Sequence, residues 1–129
     1  MTIFPDARLK HRVLGEELLR SIVRECVARQ LDARNLRIGT KKTGSPTDLP
    51  VEWINGFQAL VGAVKESAAI VSSDSLPGHL AEYFGRPVFI FTPRRKDYWM
   101  PGSAFEARAF AMFDDAAAVR PWLDRTFCG

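Results

Sequence analysis

The stretch Ser73-Asp74-Ser75-Leu76-Pro77-Gly78-His79-Leu80-Ala81-Glu82 joins an apolar run, Ala68 to Val71, to a short helical segment through a turn of small and polar residues. A turn of this kind at the carboxyl end of a strand is where α/β sheets hold ligands. Pro77 suits the first turn of the helix, and Ser75 or Asp74 suits its cap, which leaves the first backbone N–H groups to face an anion such as phosphate. An equally simple reading is that Ser75 only caps and Asp74 only satisfies turn amides. Gly85-Arg86-Pro87 then stops the helix, and Val88 to Phe91 reads as the next buried strand. The segment is one strand, turn, helix, turn, strand unit.

Working outward, the same alternation continues in both directions. Thr2 to Phe4 reads as a short first strand. From Leu14 to Leu31 the residues Leu14, Leu18, Leu19, Ile22, Val23, Cys26 and Val27 recur at helical spacing, with Glu16, Glu17, Arg20, Arg24 and Arg29 on the other face; the pattern predicts an amphipathic helix. Asn35 to Gly39 is the second strand, and the Gly, Ser and Pro content of Thr40 to Pro50 predicts a loop. Phe57, Leu60, Val61 and Val64 mark a helix ending near Ser67. Ala69 to Ser72, Val88 to Thr92 and Ala109 to Phe113 complete a set of about five strands, and Ala116 to Arg125 reads as a last helix begun by Asp114-Asp115. The expectation is an α/β chain: a three-layer αβα, Rossmann-like domain with a mainly parallel sheet and right-handed crossovers.

With 129 residues, 47% of them apolar and 26% charged, the chain suits one soluble domain with a single core. No apolar run is long enough to span a bilayer, and Met1-Thr2-Ile3-Phe4-Pro5-Asp6 lacks the features of a secretion signal, so no membrane insertion and a cytoplasmic location are expected. Cys26 lies on the apolar helix face and Cys128 beside the C-terminus, which suits a reducing compartment rather than a disulfide framework. The formal charge of +3 is mild and its basic residues are dispersed, which argues against a nucleic-acid partner.

Several chemistries lack the residues they need. A zinc site takes about four ligands, and two histidines with two distant cysteines offer no such spacing, so no metal is expected. Val71-Ser72-Ser73-Asp74-Ser75 lacks both glycines of a nucleophile elbow. Ser75, His79 and Asp74 are sequence neighbours, whereas triad members converge from separate elements. The dinucleotide fingerprint and the P-loop are absent, and no cofactor is expected.

Asp74-Ser75 followed by His79-Leu80-Ala81, and then by Gly85-Arg86-Pro87-Val88, resembles the donor-site signature of the lipopolysaccharide heptosyltransferases, glycosyltransferase family 9 of the GT-B fold. Phe4-Pro5-Asp6-Ala7 through Lys10 looks like the loop that opens the C-terminal half of those enzymes. Leu60 to Ser72 looks like the helix and strand before the aspartate, and Phe91-Thr92-Pro93 with Trp99 and Pro101 like the loop after the next strand. The resemblance covers nearly the whole chain as the donor-binding half alone, without the half that binds acceptor and carries the catalytic base. It implies a nucleotide-diphosphate sugar as ligand, with Lys10, Asp74, Ser75, Gly78 and His79 at the donor and Arg8 and Arg12 as further phosphate contacts. The diphosphate of such a donor gains charge as it leaves, so cations and N–H dipoles belong around it. Lys10 and its neighbours also read as a solvated basic loop, and His79 as a histidine bonded to a backbone carbonyl.

Three positions depart from the family pattern. Leu76 stands where glycine normally lets backbone approach the donor. Thr40-Lys41-Lys42 replaces an acidic residue, and His11-Arg12-Val13 replaces an aromatic-proline pair. The chain therefore reads either as the donor half of a transferase, inactive without its acceptor-binding half, or as a non-catalytic Rossmann-like module for a phosphorylated ligand or a protein partner. No catalytic residue is assigned within it. Leu49, Trp53, Tyr98, Trp99 and Met100 are expected to form an apolar patch covered by a partner half or by a second copy in a homodimer.

Overall fold

The computed structural model describes residues 1–7, 13–39, 50–93, 102, 104 and 107–128. Its six strands are β1 (Thr2–Phe4), β2 (Arg34–Ile38), β3 (Glu52–Ile54), β4 (Ile70–Ser73), β5 (Val88–Thr92) and β6 (Phe110–Met112). They form one sheet in the order β3-β2-β1-β4-β5-β6, and every neighbouring pair is parallel. This is the strand order of a dinucleotide-type doubly wound sheet. Helices α1 (Glu16–Ala28), α2 (Phe57–Glu66) and α3 (Leu76–Tyr83) flank it, and the C-terminal segment coils through a 3-10 turn, Ala116–Ala118, a short α-helix, Val119–Leu123, and a π-turn, Asp124–Cys128.

The sheet separates two cores. On one face Ile3, Val71, Phe89 and Phe91 pack against Leu18, Leu19, Ile22 and Cys26 of α1 and against Val119, Trp122 and Leu123. On the other, Phe4, Leu36, Ile70, Val88 and Ile90 meet Leu60, Ala63 and Val64 of α2 and Ala81 of α3. Consecutive residues such as Ile3 and Phe4 point to opposite cores, as the period of a strand requires. Both faces being covered explains why β5 is buried at every position and reads as a continuous apolar run rather than an alternation. The three-layer αβα expectation is thereby met, with six strands instead of about five.

The added strand is β3. Its three residues are exposed or half-buried, and among the described strands it pairs only with β2, at the edge of the sheet, so neither an apolar run nor an alternation marks it. Arg34 on β2 reaches across to Glu52 on β3, its Nε and Nη2 donating to the two carboxylate oxygens at 3.0 and 2.6 Å. This pairing holds the Glu52 carboxyl below its ordinary range. Helix α1 is also shorter than its apolar pattern. It ends in a Schellman motif, with the Leu31 N–H donating to Cys26 O and the Gln30 N–H to Val27 O, and Gln30 takes the left-handed conformation (φ 58°). A side chain there costs about 1–2 kcal/mol relative to glycine, and the absence of that glycine is why the sequence pattern overran the helix end.

Cys26 is fully buried, and burial pushes its thiol up to about 11. The folded chain therefore keeps this proton where the unfolded chain releases it, so stability is whole at neutral pH and is lost as pH rises from about 9 towards 11. Two outcomes are expected: Cys26 resists alkylation until the protein is denatured, and Cys26→Ala flattens the alkaline fall in Tm. Mass spectrometry of the labelled peptide and a pH series of melts check them, and rapid native labelling of Cys26 would contradict the packing.

Among the described residues no helix is long and apolar enough to cross a membrane. No group of three His, Cys, Asp or Glu side chains there is placed to hold a metal ion.

Candidate functional site

Because all six strands run the same way, the segments that leave them at Pro5, Gly39, Asp74 and Pro93 emerge on one edge of the sheet. From β1 the chain turns to β2 on one side through α1, and from β4 it turns to β5 on the other through α3, with α1 and α3 on opposite faces. The crevice outside the neighbouring ends of β1 and β4 is the topological switch point, where doubly wound sheets bind ligands. The turn Asp74-Ser75 and the start of α3 lie there.

Local bonding ties this edge together. Ser73 Oγ donates to Asp6 O (3.0 Å), Ser75 Oγ donates to the same carbonyl (3.2 Å), and the two hydroxyls are 3.0 Å apart. The Asp6 carboxylate accepts from Arg37 Nε (3.1 Å) and from the Ile38 N–H (2.9 Å). Asp6, just past β1, therefore joins β2 on one side to β4 on the other. The Asp74 N–H donates to Phe91 O (3.2 Å), which fixes the turn to β5.

The sequence expectations meet this arrangement in different ways. Ser75 occupies the N-cap position of α3 in extended backbone but makes no side-chain cap; its hydroxyl is held by Asp6 instead. Gly78 is buried, and its N–H donates to Ser75 O (3.1 Å). Pro77, also in the first turn, has no N–H at all. The anion cradle expected at α3 is thus narrower than a helix start normally offers. Leu76 is 50% exposed at the first helical position, and His79 is exposed. Asp74 is only 5% exposed, and among the described residues its buried Oδ2 has no hydrogen-bond partner. Helix α3 ends in a second Schellman motif, the Arg86 N–H donating to Ala81 O and the Gly85 N–H to Glu82 O, with Gly85 left-handed (φ +68°) as the sequence predicts.

Lys10, Arg8 and Arg12 lie outside the described residues, as do Leu49, Tyr98, Trp99 and Met100. Trp53 is half-buried on β3. Asp6 and Arg37 are the functional candidates that sequence reasoning passed over. Arg37 and Asn35 alternate with Leu36 along β2 in a pattern that suggests a solvated face, yet both are buried, at 4% and 5% exposure. The signal that was available is the aspartate two residues past a strand at the carboxyl edge, which carries no motif of its own. Scans of family models, of curated proteins and of solved structures returned no match to this chain.

Proposed function

We propose that the chain binds a nucleotide-diphosphate sugar at the crevice between β1 and β4, as the donor-binding half of a heptosyltransferase-like glycosyltransferase. Asp74-Ser75 and the start of α3 form one wall, and Arg8, Lys10 and Arg12, which follow β1 in sequence, are the cations assigned to the diphosphate. The observation that carries this reading is the buried Asp74 Oδ2 without a donor, at the switch point of a sheet ordered β3-β2-β1-β4-β5-β6. Buried polar atoms are almost always paired, so a ligand donor at this edge would complete the bonding of Asp74. Sugar and ribose hydroxyls are such donors. Catalysis needs a general base beside the acceptor hydroxyl, and the proposal assigns that base to an acceptor-binding half, so the chain alone transfers no sugar.

A thermal-shift screen with ADP-, UDP-, GDP- and CDP-sugars tests this reading. A ligand at a hundred times its Kd raises stability by about 2.7 kcal/mol. No stabilisation by any of the four would remove it. The missing Pro77 N–H, the committed Gly78 N–H and Leu76 in place of glycine favour a second reading, a non-catalytic module for a smaller phosphorylated ligand. Stabilisation by inorganic phosphate equal to that by the nucleotide sugars would select it.

Ile38, Phe57, Leu76 and Met112 are exposed at 37%, 62%, 50% and 48%, and each lies at the end of a strand or the start of a helix on this same carboxyl edge. An apolar rim of this kind suits cover by an acceptor half or by a second copy. The expected result in sedimentation equilibrium is a homodimer that Leu76→Ser with Met112→Ser weakens. A mass that stays at 14.5 kDa at high concentration would contradict it.

A further inference from the structure

The residue that joins the strand ends at this edge is not one of the donor-turn residues. Asp6 uses its two functional groups in two directions: its carboxylate accepts from Arg37 Nε and the Ile38 N–H of β2, and its carbonyl accepts from Ser73 and Ser75 at the end of β4. The Arg37 side chain is 5% exposed and the Asp6 side chain 24%, so the ion pair is shielded from the screening that makes surface pairs weak.

The chemistry of the contact leaves little freedom. Arg37 and Ile38 both donate, and each takes a different oxygen of Asp6. An asparagine offers one acceptor oxygen and one donor amide, so it meets only one of the two. The carbonyl side matters for α3. With its hydroxyl on Asp6 O at 3.2 Å, and Ser73 O a longer second acceptor at 3.4 Å, Ser75 makes no cap on the helix, although serine at that position ordinarily bonds the N–H of the second or third helical residue. Here the second residue is Pro77, so the third, Gly78, is the amide that a released Ser75 hydroxyl would reach, in competition with the Ser75 carbonyl that holds it at 3.1 Å.

We propose that Asp6, held from β2 by Arg37, is a positioning residue of the switch-point site: it keeps the Ser75 hydroxyl away from the first turn of α3 and sets the spacing between the ends of β1 and β4. The proposal rests on the reading of this crevice as a ligand site. Loosening the carboxylate side on β2 then disturbs the turn after β4, two strands away, and the ligand affinity with it.

The test uses the full chain labelled with 15N, as wild type, Asp6→Asn and Arg37→Lys, with ADP as the probe. Amide spectra without ligand come first. The expected result is that Asp6→Asn shifts the amides of Ser73, Asp74, Ser75 and Gly78 and speeds exchange of the Ile38 N–H, while Leu60 and Val64 of α2 stay in place. ADP affinity falls about tenfold, the size of one hydrogen bond to the ligand lost. Arg37→Lys, which keeps the charge and loses the Nε donor, gives a smaller change of the same pattern and serves alone if Asp6→Asn does not fold. Unmoved amides at Ser73 to Gly78, or ADP affinity within about twofold of wild type where those amides do move, overturn the proposal. If the wild type does not bind ADP, the nucleotide reading loses ADP as a ligand, and the ligand-free spectra decide the positioning role on their own.

Discussion

Asp74→Asn is expected to raise the stability of the ligand-free chain by about 1–2 kcal/mol, because a buried carboxylate oxygen without a partner costs about that much relative to a less strongly solvated amide. The same change is expected to weaken nucleotide-sugar binding at least about tenfold, through loss of a charge-assisted acceptor for a ligand hydroxyl. Gains in stability coupled to losses in function are the signature of a residue retained for a ligand. Urea denaturation and calorimetric titration read the two effects separately. An Asn variant that is less stable than wild type would mean that Asp74 holds the turn through its side chain, the simpler of the two readings open at the level of sequence.

The largest effect on folding is expected at Phe89. Its ring is 1% exposed and packs 5.0 Å from Phe91 and 5.7 Å from Trp122 between centroids, at tilted angles. Phe89→Ala removes the area that links β5 to the C-terminal helical segment and leaves a cavity, at a cost of about 3–5 kcal/mol. Tyr83→Ala, at an 81% exposed ring on α3, is the matched control and stays within about 0.5 kcal/mol. Urea midpoints at an unchanged m-value measure both. A small loss at Phe89 would contradict the division of the molecule into two cores.

How far the sequence disclosed this architecture follows from the physics of each element. Strands β4 and β5 are buried on both faces, so their apolar runs between turn residues were visible, and α1 carries an apolar stripe that only a helix places on one side. Gly85 announced the end of α3 because its left-handed backbone is one that glycine adopts freely. Gln30 makes the same turn at the end of α1 without announcing it. The edge strand β3 owes its existence to pairing with β2 and to the Arg34–Glu52 contact, neither of which leaves a periodic trace in three residues.

The candidate site was legible only in its covalent part. Asp74, Ser75, Gly78 and His79 follow from the turn and the resemblance, and the structure separates them: Asp74 and Gly78 are buried at the turn, Ser75 is drawn to Asp6, and His79 faces solvent. The contacts through which Asp6 ties β2 to that turn span 31 to 69 positions in the chain. Long-range bonds of this kind depend on strand order, and strand order is set by the crossovers rather than by any local pattern.

Binding of a nucleotide-diphosphate sugar at the carboxyl edge between β1 and β4 is read out by amide exchange across the chain, with and without whichever of the ADP-, UDP-, GDP- or CDP-sugars stabilises it most. New protection is expected at Asp6 and from Ser73 to Gly78, with none at Gln30 and Gly85 on the opposite edge. Protection confined to that opposite edge, or unchanged exchange with saturating amounts of all four sugars, would contradict it.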